Sequence, residues 1–557
     1  MNAERPFAWE RSYPPGVSWD APIEVSTVSA LLDQGLARSA DAPAFDFRDR
    51  TILYRNFVAR VDRLAAAFIA RGIGPGVAVG LHLPNTPWHP VAFFACMKAG
   101  ARAVHMSALE AERELAHKLK DSGARVLVAT NWAGLLPKAL KLKESGLVDL
   151  LVVGDDAEWG PGAFPLAPVP QGEGIVAAAD LIGNAKGTVF PKVSVEDVAL
   201  LQYTGGTTGV PKGAMLTHAN LTAAVSSYDA WYLGQGREIQ GSRNILVLPL
   251  FHIYALTTIL LRQVKHGNEM LLRERFDPEA ILRDIEEKRA TAFAGVPTMW
   301  IALANLPGIE KRDLSSLTFC GSGGASLPVE VGARFERLTG HRLGGGWGMT
   351  ETAPAGTNLP LDGPGKPGSM GLPLPGIEMG IRSLDDPRQA LGPNEKGEIA
   401  IRARNVMKGY WNRPQETAAA FVDGWFLTGD IGHMDEDGWF FLVDRKKDMI
   451  ISGGFNVYPR VIEEAVYEHP DVEEAVVVGV PDPYRGEAAK AFVKLRAGAV
   501  PLTLEALRAF LADKIGRHEM PAALEIRDAL PRTAVGKLSK KELVEEEREK
   551  ARMQEAS

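Results

Sequence analysis

The sequence predicts an α/β protein with a large N-terminal domain built in several layers and a small C-terminal α+β domain. A chain of 557 residues is longer than one hydrophobic core usually organises. In its first part, strand-like and helix-like periodicity alternate along VAVGLHLPN, PVAFFACMKAGA, RELAHKLKDSGA and RVLVAT. This alternation is typical of mostly parallel sheets covered by helices. The character changes near Leu442, which sets the predicted domains at residues 1–443 and 444–557.

Three further segments complete the predicted order of elements. Residues 154–190 are rich in Gly, Pro and Ala and predict a surface loop. The apolar run at 245–261 approaches the roughly 20 residues of a membrane-spanning helix. Pro249 and His252 interrupt this run, which favours a buried strand followed by a helix. In the second domain, RVIEEAVYEH predicts a helix, EAVVVGV a strand, and the segment from Thr503 another helix.

Composition and charge exclude several classes of function. A net charge of -7 argues against a protein built to bind nucleic acid, which would present a basic face. Cys96 and Cys320 lie far apart and match no metal-binding or redox spacing, so we expect a protein of the reducing cytoplasm. The N-terminal residues lack the apolar region of a secretory signal, which points to the same compartment.

The segment YTGGTTGVPKGAMLTH, at 203–218, carries the strongest functional signal. Its glycines and threonines offer consecutive amide and hydroxyl donors that can surround phosphate oxygens, and a lysine adds a positive charge. The spacing differs from that of the common phosphate loop, in which lysine directly follows the second glycine. The predicted phosphate-binding residues are Thr204, Gly205, Gly206, Thr207, Thr208, Gly209 and Lys212.

The stretch YTGGTTGVPKG resembles the phosphate-binding signature of the acyl-adenylate-forming superfamily, which includes acyl-CoA synthetases, adenylation domains and beetle luciferases. The resemblance covers nearly the whole chain and implies an enzyme that uses ATP and Mg²⁺. In GGWGMTET, it implies that Gly346 and Trp347 lie against the adenine and that Thr350 contacts the α-phosphate. It also implies that Glu351 and Thr204 supply the hard oxygen ligands that Mg²⁺ prefers.

Two more segments match the nucleotide-binding pattern of this superfamily. WFLTGDIGHMDEDGWFFLVDRKKD implies that Asp430 and Arg445 hold the ribose. GSGGASLP implies that Gly323, Gly324 and Ala325 line the adenine and acyl pockets. Neither GSGGAS nor GGGWGM completes Gly-x-Gly-x-x-Gly, which disfavours a dinucleotide-binding enzyme.

A lysine near the C-terminus resembles the catalytic lysine that the superfamily carries on its mobile second domain. In LPRTAVGKLSKKEL, the resemblance implies this role for Lys537. Its cation would offset the repulsion between a substrate carboxylate and the α-phosphate of ATP. The neighbouring Lys540 and Lys541 have no such assignment and are expected to be solvated.

The resemblance also implies how a thiol reaches the activated acid. In the superfamily the small domain rotates between two half-reactions, which implies a hinge at Asp444 and a thiol-facing surface at Lys447, Gly453 and Gly454. The segment after Lys537 is too short for a carrier domain, so free coenzyme A is the expected acceptor.

The expected acid is a medium- to long-chain fatty acid, because LPLFHIYALT, SGGFNVYP and SYPPGV most resemble bacterial fatty acid–CoA ligases. His252 would then be an aromatic gate at the mouth of the acyl pocket, although a histidine satisfied within the core fits equally well. Arg262, after ALTTILL, suits either the solvent-exposed end of a helix or the far end of a dicarboxylic acid. An aromatic or dicarboxylic substrate therefore stays open.

Two functions of other classes share some of these motifs. A luciferase-like oxygenase would have the same adenylation residues but would emit light instead of forming a thioester. A non-catalytic regulator would be expected to lack Lys537 or Glu351, and both are present. The sequence leaves open whether the protein forms a homodimer and whether it contacts a membrane peripherally.

Overall fold

The computed structural model describes residues 5–185, 187–204, 211–325, 327–363, 365–452, 455–482, 484–533 and 536–555. These residues form four sheets with helices packed between and around them. The α-helices are Val28–Ser39, Tyr54–Ile69, Trp88–Ala99, Glu112–Ser122, Leu136–Glu144, Ala178–Gly183, His218–Gly234, Arg262–His266, Pro278–Glu286, Pro297–Ala304, Val329–Thr339, Pro414–Ala420, Pro459–Tyr467, Leu504–Leu511 and Lys541–Glu555. A π-helical segment, Ala255–Leu261, runs directly into Arg262–His266, and we call the two together helix 255–266. Short 3₁₀ helices occupy Ala8–Ser12, Asp156–Trp159, Ile309–Lys311 and Thr350–Thr352.

The first sheet is the parallel sheet that the alternating pattern predicts. Its strands, in spatial order, are Ile175–Ala177, Leu150–Gly154, Val126–Thr130, Ala78–His82, Arg102–Met106, Val198–Thr204 and Lys212–Thr217. Neighbours are parallel except for the last pair, which is antiparallel. Ala78–His82 and Val126–Thr130 are buried at every position, as expected for strands with helices on both faces.

The second sheet has the same mixed character. Its strands, in spatial order, are Gly344–Gly345, Phe319–Ser322, Ala292–Gly295, Arg243–Leu246, Glu269–Leu272, Pro43–Phe47 and Arg50–Leu53. Only the last pair is antiparallel. The apolar run at 245–261 contributes the end of the strand Arg243–Leu246 and then the buried segment Ala255–Leu261 of helix 255–266, which confirms the interpretation of that run. Within the part of the chain that the structure describes, no helix has the length and apolar character needed to cross a membrane.

The third sheet is antiparallel, which the sequence pattern did not predict. Its strands, in spatial order, are Thr357–Asn358, Ser369–Pro373, Phe440–Arg445, Trp425–Met434, Gly397–Arg402 and Glu378–Arg382, with Phe421–Val422 paired to Trp425–Met434. Hairpin connections replace the helical crossovers here, and antiparallel strands can be joined by very short turns. This sheet delivers Asp430 and Arg445 side by side, because they are direct partners on neighbouring strands.

The C-terminal part forms a separate α+β layer, as predicted. Its strands are Phe455–Val457, Ile450–Ser452, Gly486–Leu495 and Val472–Asp482 in spatial order, with Ala523–Ile526 paired to Gly486–Leu495. The helix predicted from Thr503 begins there, with the Thr503 side chain accepting a hydrogen bond from the Ala506 amide. Apolar side chains of the helices and of this sheet share one small core.

The segment 154–190 is more ordered than the predicted surface loop. It contains the edge strand Ile175–Ala177 and the helix Ala178–Gly183. Ala178 and Leu181 are buried against the main core. The prediction was wrong at this point. Because the segment is rich in glycine and proline, its short apolar strand could not be recognised from the sequence, and pairing with the neighbouring strand Leu150–Gly154 stabilises it.

Strands of two sheets end at the same place in the molecule. Thr204 is the last residue of a first-sheet strand, and Ser322 and Gly345 end two strands of the second sheet. Ligands of open α/β sheets bind beyond such carboxyl ends. The third sheet and the C-terminal part close over this position.

Candidate active site

One cavity, of about 1490 Å³, lies beyond these strand ends. It is lined by all of the predicted site residues that the structure describes: Thr204, Lys212, His252, Gly323, Gly324, Ala325, Gly346, Trp347, Thr350, Glu351, Asp430, Asp444, Arg445, Lys447 and Lys537. The other predicted residues, Gly205, Gly206, Thr207, Thr208, Gly209, Gly453 and Gly454, lie outside the described residues. Residues spread over more than 300 positions of sequence thus line one cavity.

Asp430 is a buried carboxylate held from two sides. The indole Nε1 of Trp347 donates a hydrogen bond of 2.7 Å to its Oδ2, and the Arg445 Nε lies 3.4 Å from its Oδ1. Burial raises the pKa of Asp430, while the Arg445 charge and the Trp347 hydrogen bond act in the opposite direction. The three side chains form one group that lines the cavity, with the Asp430 carboxylate at its centre.

Glu351 is a second buried carboxylate, located in the 3₁₀ helix Thr350–Thr352. Its Oε1 accepts a hydrogen bond of 2.9 Å from the hydroxyl of Tyr410, and burial raises its pKa. Lys212 Nζ lies 4.5 Å from the centroid of the Tyr410 ring, within the range of a cation–π contact. Among the described residues, no basic side chain forms an ion pair with Glu351, so its charge is open to a cation from outside the protein.

Tyr410 is a site residue that the sequence patterns missed. It stands in MKGYWNRP, which contains no spacing typical of a catalytic or binding motif. Its contacts to Glu351 and to Lys212 join residues that are far apart in the chain. Only the tertiary structure, in which the segment around Tyr410 runs beside the first-sheet strand Lys212–Thr217, reveals that one ring contacts both charged groups.

Lys537 reaches the cavity from the C-terminal part. Burial and the positive charge of Arg445 lower its pKa to about 8. Its loop is attached to the N-terminal part, because Thr298 Oγ1 donates a hydrogen bond of 2.8 Å to the carbonyl of Gly536. Gly324 passes directly under the lysine: a Cβ at this position, where φ is 78°, would lie 2.8 Å from Lys537 Cε. Glycine at 324 therefore allows the lysine to enter.

The expectation for Lys540 was wrong. Its side chain is 22% exposed, and its Nζ forms an ion pair of 3.0 Å with Glu463. Burial acts to lower its pKa, but the charges of Glu463, Asp444 and Asp448 outweigh burial and raise it. The helix Pro459–Tyr467 brings Glu463 to this place, and that packing could not be read from the run of lysines. Lys541 is exposed, as predicted.

His252 is neutral at the edge of the cavity. Its Nδ1 accepts a hydrogen bond of 3.2 Å from the Tyr254 amide, which leaves the proton on Nε2. Burial, reinforced by the charge of Lys537, lowers its pKa to about 3. An uncharged aromatic ring therefore lines the cavity near Lys537.

Asp444 connects the third sheet to the C-terminal part. Its Oδ1 accepts a hydrogen bond of 2.7 Å from the Arg445 amide, and its Oδ2 accepts one of 2.8 Å from the Arg460 amide. The Arg460 amide belongs to the first turn of the helix Pro459–Tyr467, where helix amides have no partner within the helix. Lys447 follows closely, and burial together with the Arg445 charge lowers its pKa.

Family comparison agrees with this arrangement. The family described as AMP-binding enzyme matches residues 32–411, and its C-terminal domain, described as AMP-binding enzyme C-terminal domain, matches residues 461–537. The chain belongs to the AMP-binding enzymes. This confirms the resemblance inferred from YTGGTTGVPKG, and Lys537 is the last residue of this chain that the C-terminal domain matches.

Individual members of the AMP-binding enzymes are similar over the full chain. A long-chain-fatty-acid–CoA ligase of Bacillus subtilis is 39% identical and covers 99% of each chain. The enzyme of the same name from Escherichia coli O157:H7 is 36% identical and covers 97% of this chain and 98% of its own. A feruloyl-CoA synthase of Amycolatopsis sp is 38% identical and covers 91% of this chain and 96% of its own.

Solved structures of AMP-binding enzymes have the same fold. The anthranilate CoA ligase AuaEII, in complex with anthranoyl-AMP, has a TM-score of 0.84 at 25% identity and covers 95% of this chain and 98% of its own. ATP-bound MatB from Rhodopseudomonas palustris has a TM-score of 0.82 at 27% identity and covers 94% of this chain and 99% of its own. The predicted α/β fold with a smaller C-terminal domain is confirmed.

Proposed function

We propose that this protein is an ATP-dependent, AMP-forming ligase that joins a medium- to long-chain fatty acid to coenzyme A. The observation that carries the proposal is the single cavity in which Asp430 with Arg445, Glu351 and Lys537 face one another. The carboxylates of Asp430 and Glu351 would bind the nucleotide and its metal there, and the Lys537 cation would neutralise the charge of the substrate carboxylate. The full-length similarity to two fatty acid–CoA ligases supports the choice of substrate.

ATP would lie in this cavity, along the wall that carries Asp430 and Trp347. Asp430 and Arg445 would hold the ribose hydroxyls, and the ring of Trp347, beside Gly346, would face the adenine. Lys212 and Thr204 line the same cavity and would face the phosphates, together with residues 205–210 that follow Thr204 in the sequence. Thr350, next to Glu351, would contact the α-phosphate. These assignments follow the resemblance residue by residue, and the shared cavity supports them.

The residues present fit a Mg²⁺ ion that accompanies the nucleotide. Buried charges need compensation, and among the described residues the Glu351 carboxylate has a backbone amide and the Tyr410 hydroxyl as donors but no cationic partner. The described residues contain no cluster of three or more acidic, histidine or cysteine side chains that could enclose a metal. One carboxylate, the hydroxyl of Thr204 and substrate phosphates are the kind of ligand set that Mg²⁺ uses. Bound there, the ion would neutralise phosphate charge.

Lys537 would act in the first half-reaction. A carboxylate oxygen attacks the α-phosphorus, the new oxygen–phosphorus bond forms, and the bond to the β-phosphate breaks to release pyrophosphate. The Lys537 cation lies where it can reduce the repulsion between the two anions, and positioning with charge neutralisation is sufficient for such chemistry. The product is an acyl-adenylate.

The second half-reaction would need another orientation of the C-terminal domain. The thiolate sulfur of coenzyme A attacks the acyl carbon, the carbon–oxygen bond to phosphate breaks, and AMP leaves. We propose that residues 444–557 rotate about Asp444 between the two steps, withdrawing Lys537 and bringing Lys447, Gly453 and Gly454 toward the thiol. The small contact at Thr298 and Gly536 is compatible with such a movement.

The location and the assembly follow from the same proposal. We place the enzyme in the cytoplasm, where the buried thiols of Cys96 and Cys320 would stay reduced. A homodimer and a peripheral contact with a membrane stay predictions from the sequence.

The direct test is a thioester assay with purified protein, ATP, Mg²⁺ and coenzyme A over a panel of acids. We expect AMP and pyrophosphate to form in equal amounts with acyl-CoA. For linear acids, kcat/KM should rise with each methylene by about fourfold, since a buried methylene contributes about 0.8 kcal/mol, until the chain reaches the end of the cavity. Release of ADP, emission of light, or a clear preference for aromatic acids over every linear acid would contradict the proposal.

A further inference from the structure

One face of helix 255–266, together with the preceding residue Tyr254, forms a wall of the cavity. This wall runs from the reaction centre into the depth of the cavity. Tyr254, Thr258 and Arg262 all line the cavity and stand one turn apart. Tyr254 marks the near end, because a Cβ at Gly323 would lie 2.7 Å from its ring. Arg262 lies eight residues, or about two helical turns, further along the helix. A chain that follows this wall ends beside a guanidinium.

Arg262 does not occupy a solvent-exposed helix end, so that interpretation is wrong. Its side chain is only 13% exposed, and its Nε lies 3.0 Å from Asp229 Oδ1. The guanidinium also stacks on the Tyr232 ring, 4.4 Å from the ring centroid. These two contacts fix the plane of the guanidinium. Its terminal nitrogens form no hydrogen bond with any described residue, although the group lines the cavity.

The charge of Arg262 is only partly compensated. Asp229 also binds Lys265 Nζ at 2.9 Å and His266 Nε2 at 2.9 Å. Burial raises the pKa of Asp229, but the His266 hydrogen bond and the Arg262 charge outweigh burial, and the pKa is lowered. One carboxylate thus serves two permanent cations, and a further anion, Glu24, is an exposed side chain 3.6 Å from Lys265. A positive charge remains on the cavity side.

A second polar group faces the same place. Tyr228, on the helix His218–Gly234, is 8% exposed and lines the cavity. Its hydroxyl forms no hydrogen bond with any described residue, and the charge of Arg262 is near enough to act on its pKa. Buried polar groups without partners are costly, and an apolar chain end would leave both Arg262 and Tyr228 without one.

We propose that the far end of the acyl cavity binds a second carboxylate, so that the preferred acids are long-chain α,ω-dicarboxylic acids of fitting length. The fork of Arg262 would hold the ω-carboxylate through its two terminal nitrogens, as planar guanidinium groups commonly do. Tyr228 would donate a further hydrogen bond. This inference rests on the proposed ligase function, since it names the substrate class of the same cavity; plain fatty acids enter the cavity but leave these donors unpaired.

The test compares octanoate, dodecanoate and hexadecanoate with the α,ω-diacid of each length in the thioester assay. At the length that reaches Arg262, the wild-type enzyme should prefer the diacid. Arg262→Met should lower the ratio of diacid to monoacid kcat/KM by roughly 10- to 100-fold, the range for hydrogen bonds to a charged group. Asp229 keeps Lys265 and His266 as partners in this variant, so the fold should persist. Tyr228→Phe should lower the same ratio by about two- to tenfold.

Two controls keep the outcomes separate. Arg237→Met removes another arginine that lines the cavity, one that is 40% exposed and paired with Asp362, and it should leave the ratio unchanged. An ω-hydroxy acid of the same length should gain less than the diacid, because it carries no charge. The inference is overturned if Arg262→Met and Tyr228→Phe both leave the ratio at its wild-type value, or if wild-type protein uses monoacids well and refuses every diacid. Failure of the proposed function itself looks different: no acid would yield a thioester.

Discussion

The indole Nε1 of Trp347 donates a hydrogen bond of 2.7 Å to the carboxylate of Asp430, across 83 residues of sequence. Both side chains are more than nine-tenths buried, and the opposite carboxylate oxygen faces Arg445. A tryptophan at this position can thus do more than offer a flat surface to the adenine. It also fixes the orientation of the carboxylate proposed to hold the ribose.

Trp347→Phe tests this relationship, because it keeps an aromatic face and removes only the donor. We expect the KM for ATP to rise about tenfold, within the range for a hydrogen bond to a charged group, while the KM for coenzyme A stays constant. The lost donor stabilised the ionised form of Asp430, so the pKa of Asp430 should rise further. The loss of ATP binding on acidification should therefore begin at a higher pH than in the wild type.

Trp132→Phe is the matched control for that change. Its indole donates a similar hydrogen bond of 2.8 Å to Asp156, and it does not line the cavity. If both variants change the KM for ATP to the same extent, the effect is a general loss of stability, and the positioning role of Trp347 is wrong.

Lys537→Ala should separate the two half-reactions. Loss of a cation that faces a developing charge should slow pyrophosphate release by roughly 10²- to 10³-fold. Thioester formation from a supplied acyl-adenylate should continue, because the proposed rotation withdraws Lys537 before the thiol attacks. Lys541→Ala, a change at an exposed lysine, should affect neither step. An equal loss in both half-reactions would disprove the assignment.

The pH dependence of adenylation offers an independent test of Lys537. Burial and the Arg445 charge lower its pKa to about 8, so the lysine is a cation below that pH and loses its proton above it. Since the cation is the active form, the rate of pyrophosphate release should fall as the pH rises through about 8. In Lys537→Arg the side chain stays charged, and the alkaline decline should vanish even if the maximal rate is lower. An identical decline in both proteins would show that another group is responsible.

The proposed hinge can be tested by two substitutions at Asp444. Asp444→Pro removes the carboxylate and fixes φ, so it should trap one orientation of the C-terminal domain. Asp444→Ala removes the same two hydrogen bonds without restricting the backbone, at a cost of about 1 kcal/mol for the helix cap. We expect adenylation in both variants, and thioester formation only in Asp444→Ala. Normal overall turnover in Asp444→Pro would exclude rotation at this residue.

The sequence by itself determined the kind of protein. Strand-like and helix-like periodicity is a local property, so the parallel sheets, the buried segment at 245–261 and the C-terminal α+β layer could be predicted from short windows. The glycine- and threonine-rich segment and the positions of Glu351, Asp430, Arg445 and Lys537 could also be identified, because phosphate chemistry requires particular residue types in a particular order. In the structure, Glu351, Asp430, Arg445 and Lys537 line one cavity.

Only the tertiary structure decided which side chains act on one another. The contact of Tyr410 with Glu351, the ion pair of Lys540 with Glu463, and the pairing of Arg262 with Asp229 each join residues that no local pattern relates. The pairing of Arg262 changes the interpretation of the acyl cavity. The sequence was compatible with Arg262 at a solvent-exposed helix end, but its side chain is largely buried and shares the Asp229 carboxylate with Lys265. The physical reason is that burial and charge pairing depend on distances in space, and the packing of separate elements sets those distances.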